Sequence, residues 1–171
     1  MQVARWSEAK REFDASSDRV FRDALGMFGT GVTIITTNSP DGPVGMTANS
    51  FTSISLDPPL VMWSAAKESR RYQYFEAAQE VAIHVLAEEQ QDLCWGFSKN
   101  KDAFDGADWN PSAAGTPLID NCLARFECTP YAKHEAGDHI IVVLKVVNLS
   151  FREGKPLMFH GGQVGGFTKG G

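Results

Sequence analysis

Residues 45–53 read Gly-Met-Thr-Ala-Asn-Ser-Phe-Thr-Ser. Thr, Asn and Ser crowd a segment that otherwise has the composition of a strand, and Asn is depleted in strands. Polar side chains so placed need hydrogen-bond partners. Thr47, Asn49 and Ser50, together with the local backbone, offer donors and acceptors suited to the edge of a heteroaromatic ring. An edge strand with a polar face accounts for the same pattern. In residues 65–71, Ala-Ala-Lys-Glu-Ser-Arg-Arg, a strand gives way to a helix and three cations surround Ser69, the expected cap. Helix N-termini bind phosphate through unpaired N–H groups and the dipole. A solvated helix start is the competing reading.

Residues 134–139, His-Glu-Ala-Gly-Asp-His, resemble a metal motif, but HExxH requires His at its fifth position and Asp138 stands there. No metal site is expected. The segment reads as a turn, and His139 enters an apolar strand where a ligand at a barrel rim could reach it; a histidine that merely caps the strand is the alternative. Phe97-Ser98-Lys99-Asn100-Lys101, with Phe104 beyond, could cover a ligand, or could be a surface loop whose two Phe side chains are anchored in the core. Residues 161–166 are glycine-rich, but no helix of useful length can follow, so a dinucleotide-binding loop is rejected in favour of a flexible tail over a site.

These segments are positioned by a strand-rich chain. A helix from Ser17 or Asp18 to about residues 27–29 carries Val20, Phe21, Leu25 and Phe28 on one face. Strands are expected over 32–37, 44–55, 60–64, 81–86, 122–128 and 140–149, with helices over 69–78 and 88–97 and a long loop over 98–117. The segments before and after Asp57-Pro58-Pro59 form a hairpin. Regular βαβ alternation is missing, which leaves a closed or partly closed antiparallel barrel.

The 171 residues make about one domain, 18–171, preceded by a charged arm over 1–17. A net charge of −5 argues against a general nucleic-acid or anionic-membrane binder. The longest apolar run, residues 140–144, is far too short to span a bilayer. Cys94, Cys122 and Cys128 form no CxxC pair and read as small buried hydrophobes in a cytoplasmic protein.

Taken in order, the segments resemble the short-chain flavin reductases, over about Asp18 to Phe167. Residues 21–33 begin the likeness, and 45–53 followed by Asp57-Pro58-Pro59 carry its strongest part. Gly137-Asp138-His139 opening an apolar strand and Pro156-Leu157-Met158-Phe159 before glycines complete it. The resemblance implies a mainly β fold, a six-stranded antiparallel Greek-key split barrel with a few peripheral helices. It implies hydride transfer from NADH or NADPH to FMN or FAD, a homodimer, and delivery of reduced flavin to a partner monooxygenase. Met46, Thr47, Ala48, Asn49, Ser50 and Ser64 would contact the flavin, while Lys67, Ser69 and Arg70 would hold its phosphate. Phe97 and Ser98 would flank it, and His139 would orient the nicotinamide. An FMN-binding electron carrier of the same fold, indifferent to NAD(P)H, is the alternative.

Overall fold

The computed structural model describes residues 17–99, 103–168 and 170; the arm expected before Ser17 lies outside them, as do Asn100 and Lys101. After helix α1 (Asp18–Leu25) come β1 (Thr30–Gly31), β2 (Thr33–Ser39), β3 (Gly42–Ala48), β4 (Thr52–Leu56) and β5 (Pro59–Ala66). Helix α2 (Tyr72–Ala77) leads to β6 (Val81–Val85), and helix α3 (Gln91–Lys99) to β7 (Trp109–Pro111) and β8 (Pro117–Ile119). Two long strands, β9 (Ala124–Ala136) and β10 (His139–Phe151), precede β11 (Leu157–His160) and β12 (Gln163–Gly166).

The main sheet has seven strands in the order β3-β2-β6-β9-β10-β5-β4, and every pairing in it is antiparallel. Its two edges, β3 and β4, are consecutive in the chain and joined only by residues 49–51. The steps from Ala48 to Thr52 reach at most about 14 Å. Laid flat, the edges of such a sheet would stand about 29 Å apart. The sheet therefore curls until its edges approach, while its hydrogen-bond ladder stays open between β3 and β4. That opening is the split, and the polar Asn49-Ser50 segment crosses it.

The expected six strands become seven because residues 44–55 form two strands rather than one. Asn49 and Ser50 leave the ladder, and the Ser50 hydroxyl accepts from the Ser64 N–H at 3.0 Å and donates to the Ser64 carbonyl at 3.2 Å. These bonds tie the crossing to β5. The hairpin across Asp57-Pro58-Pro59 forms as β4 and β5.

Other expectations are corrected. The helix expected over 69–78 begins only at Tyr72, because residues 69–72 close a turn in which the Tyr72 N–H donates to the Ser69 carbonyl at 2.9 Å. Residues 134–136 belong to β9; Gly137, at φ 66°, lets a tight turn deliver His139 opposite Ala136. The glycine-rich end is the β11–β12 hairpin rather than a loose tail. The loop over 98–117 contains a 3-10 turn at 103–106 and the β7–β8 hairpin, organised by Phe104 stacked edge-on against Trp109 at 5.4 Å.

Apolar residues pack on both faces of β2 and β6, which is why these strands read as continuous apolar or β-branched runs. Inside the curl lie Ile35, Val61, Trp63, Ile83, Cys128 and Leu144. On the outer face Ile34, Leu86, Phe104 and Leu157 form a second layer with Cys94 and Phe97 of α3. Cys94 and Cys128 are buried, as expected, while Cys122 is half-buried. Burial pushes the Cys128 thiol up to about 12.

His84 alternates with Ile83 and faces the outer layer. Its Nδ1 lies 3.0 Å from the Ile34 carbonyl, and its Nε2 accepts from the Ile119 N–H at 3.0 Å. A carbonyl only accepts, so the proton sits on Nδ1 and the ring is neutral. Burial drives its pKa down to about 4.

Candidate functional site

Among the described residues, one pair of cavities stands out as large enough for a small molecule. The smaller, about 530 Å³, is lined by residues such as Thr37, Pro40, Tyr74 and Thr116, and contains none of the residues anticipated from the sequence. The larger, about 900 Å³, lies beside the split and is lined by both Asn49 and His139. Of its other wall, the glycine-rich segment expected over a site takes part, whereas helix α1 was not anticipated. Helix α1 supplies Phe21, Arg22 and Leu25, followed by Gly26 and Met27, while the β11–β12 hairpin supplies Phe159, Gly161 and Gly162.

Helix α1 has the apolar face its sequence implies, but buries no residue: Phe21 is 52% exposed and Leu25 57%. It ends at Leu25, short of the expected 27–29. Gly26 accepts from the Gly161 N–H at 2.8 Å, which fastens the helix end to the hairpin turn. Phe21 and Leu25 on one helical face were the available signal for this wall; nothing in the sequence says what that face covers.

His139 opens β10 opposite Ala66 of β5. Its Nδ1 is 2.8 Å from Asp138 Oδ1. A carboxylate only accepts, so in the neutral ring Nδ1 carries the proton and Nε2 is left as an acceptor. The hydrogen bond from His139 is the main reason the Asp138 carboxyl lies below its ordinary value. Three carboxylates, Asp18, Asp23 and Asp138, share the groove with one guanidinium, Arg22.

The strand side divides by alternation. Met46 and Ala48 pack toward the inner core. Thr47 turns toward α3, where its hydroxyl donates to the Cys94 carbonyl at 2.7 Å. The Gly45 carbonyl accepts from Arg71 rather than from β2, so alternation also points the main chain of Thr47 away from β2. The Asn49 side chain is exposed and has no hydrogen-bond partner among the described residues. The outer edge of β3 and the Asn49 amide thus present polar groups toward the split.

Lys67 lies near His139 rather than at a helix start. Its ammonium pairs with Glu135 and donates to the Gly137 carbonyl at 2.7 Å. Ser69 accepts from the Arg71 N–H at 3.3 Å, and Arg70 is exposed. With α2 only six residues long and without a side-chain cap, a phosphate reading here rests on side chains, not on a helix dipole. Phe97 is fully buried, with its ring stacked edge-on to Phe104 at 4.8 Å and its carbonyl accepting from Arg71 at 2.6 Å, so it backs the site rather than facing it; Ser98 is exposed at the end of α3. Among the described residues no group of three or more His, Cys, Asp or Glu could hold a metal ion.

Residues 25–168 match the flavin reductase like domain. The chain belongs to that family. It is 51% identical over 153 residues to the FMN reductase (NADH) SmoA of Agrobacterium fabrum, covering 90% of this chain and 88% of that protein. It is 43% identical over 152 residues to HsaB, the reductase subunit of a flavin-dependent monooxygenase of Mycobacterium tuberculosis, covering 86% and 81%. The NADH:FAD oxidoreductase SgcE6 of Streptomyces globisporus, solved with NAD and FAD fragments, superposes with a TM-score of 0.89 at 34% identity, covering 93% and 98%. The groove of this flavin reductase-like chain therefore lies in a fold that other members use for flavin chemistry. Among its described residues no helix is long and apolar enough to cross a membrane.

Proposed function

We propose that this protein is an NAD(P)H:flavin oxidoreductase of the cytoplasm that passes reduced flavin to a partner monooxygenase. The observation that carries the reading is the convergence of Asn49 and His139 on one groove beside an unclosed strand edge, in a chain of this family. The fit to a flavin is chemical: the ring edge offers alternating donors and acceptors, and the outer edge of β3 with the Asn49 amide offers their complements. A bound flavin, FMN or FAD, supplies the acceptor for a hydride from the nicotinamide.

The chain's own residues bind and orient. Met46, Thr47, Ala48, Asn49 and Ser50 form the strand-edge side of the flavin cradle, held to β5 through Ser64. Lys67, Ser69 and Arg70 receive the flavin phosphate, and exposed Ser98 bounds the cradle from α3 with buried Phe97 supporting it from behind. His139, with its Nδ1 proton engaged by Asp138, accepts at Nε2 from the nicotinamide carboxamide and sets its orientation. No side chain transfers a proton in this scheme; geometry is the protein's contribution. The carboxylate excess in the groove disfavours an added phosphate, so NADH is the preferred donor over NADPH.

The apolar, uncovered α1 face is the support for a homodimer that buries it. Residues 18–171 act as one flavin-binding unit and 1–17 as an arm.

The test is oxidation of NADH and of NADPH, followed by loss of the reduced-nicotinamide absorbance, with and without FMN, FAD or riboflavin. Flavin-dependent turnover, faster with NADH, is expected. Flavin binding without turnover of either nucleotide would replace the reductase by an electron carrier. Sedimentation velocity tests the dimer.

A further inference from the structure

Arg71 ties together the two sides of the proposed cradle. Its Nη1 donates to the Gly45 carbonyl at 2.8 Å and the Phe97 carbonyl at 2.6 Å, and its Nη2 to the Ser98 carbonyl at 3.2 Å. Phe97 and Ser98 lie in the last turn of α3, whose carbonyls lack intrahelical donors and form the negative end of the helix dipole. A half-buried guanidinium there satisfies carbonyls of the helix end and one carbonyl of the sheet edge together. Burial lowers its pKa, but a guanidinium stays charged at any working pH.

The seam it closes has no slack. A Cβ added at Gly45 would lie 2.6 Å from Phe97 Cε1 and 3.2 Å from Phe104 Cζ, so the absence of a side chain lets β3 settle directly on the ring. Three acceptors spread over two elements match the planar fork of Arg and not the single point of Lys. We infer that Arg71 is a positioning residue for flavin binding: it fixes the spacing between the outer edge of β3 and the end of α3 without touching the flavin. This rests on the flavin-reductase reading above.

The experiment compares FMN with riboflavin, which has no phosphate, in wild type, Arg71→Met and Arg71→Lys, measuring each Kd by flavin fluorescence together with Tm. Both ligands should weaken in Arg71→Met by the same factor, about tenfold, equivalent to about 1.4 kcal/mol. Arg71→Lys should recover only part of the loss. Weakening of FMN alone would make Arg71 a phosphate contact and overturn the proposal. A lower Tm with both affinities intact would leave it a structural brace and also overturn it. Gly45→Ala keeps Arg71 but pushes Phe97 off β3, and serves if the Arg71 variants do not fold; it should weaken both ligands equally, and unchanged affinity would count against the positioning role. Wild type that binds neither flavin would overturn the underlying reading before any substitution is made.

Discussion

His84 should make the fold sensitive to mild acid. Its ring is fully buried and neutral, with both nitrogens committed, to Ile34 and Ile119. Burial holds its pKa at about 4, against 6.5 for an unperturbed histidine. In the unfolded chain the ring protonates as pH falls below about 6.5, while in the folded chain it stays neutral down to about 4. Between these values the unfolded state binds more protons, so stability rises with pH there. The contribution is complete above about 6.5 and is lost progressively as pH falls toward 4. At 1.36 kcal/mol per pH unit, the whole window is worth about 3 kcal/mol, and the part between pH 6.5 and 5 about 2 kcal/mol. The assay is urea unfolding from pH 7.5 to 4.5 at fixed protein concentration, for wild type and His84→Gln. The variant is less stable at neutral pH, but its loss between pH 6.5 and 5 should be smaller than that of wild type by about 2 kcal/mol. Carboxylates that titrate in the same range do so in both proteins and cancel in the comparison. Equal slopes in the two proteins, or an NMR titration of His84 near its ordinary pKa, would refute the reasoning.

Three further outcomes are expected. His139→Ala should raise KM for NADH about tenfold, the size of one lost hydrogen bond, while the Kd for flavin stays unchanged; steady-state kinetics and flavin titration read the split, and equal loss of flavin binding would remove the orienting role. Thr36→Val should cost about 1–3 kcal/mol in urea unfolding, because the buried Thr36 hydroxyl donates to the Pro117 carbonyl at 2.6 Å and Val leaves that carbonyl unpaired; a neutral result would mean that the β8 segment repacks. Cys128, fully buried with its thiol at about 12, should resist an aromatic disulfide reagent in the native state and react only at the rate of unfolding, with half-buried Cys122 reacting first.

The strands and the layer they build were legible because their apolar runs are dense and bounded by turn residues. The hairpin at Asp57-Pro58-Pro59 followed from proline and aspartate alone. Where one strand was read over 44–55, the polar residues that marked it for function also broke it, and period-two alternation does not register a strand that leaves its ladder. Ser69 had the composition of a cap, yet its hydroxyl and carbonyl are spent on Arg71 and Tyr72, which shortens the helix that should have followed. Asn49 and His139 were singled out by type and setting, and the fold brings both to one groove. The apolar face of α1 and the cation Arg71 were both noted, but their places in the site were not legible, for one reason. An amphipathic helix and an arginine beside another arginine are common at any surface, and only the tertiary arrangement shows which carbonyls one meets and which groove the other lines.

The unclosed ladder also bears on how the protein must be handled. With β3 and β4 both ending in unpaired main-chain groups, the apo chain carries two strand edges of the kind that recruit other strands. A ligand seated in the split masks one of them and, by binding only the folded form, adds stability that grows with its concentration. Flavin in the storage buffer would then act as a preservative: it would slow clouding on standing in protein that never turns over a single nucleotide.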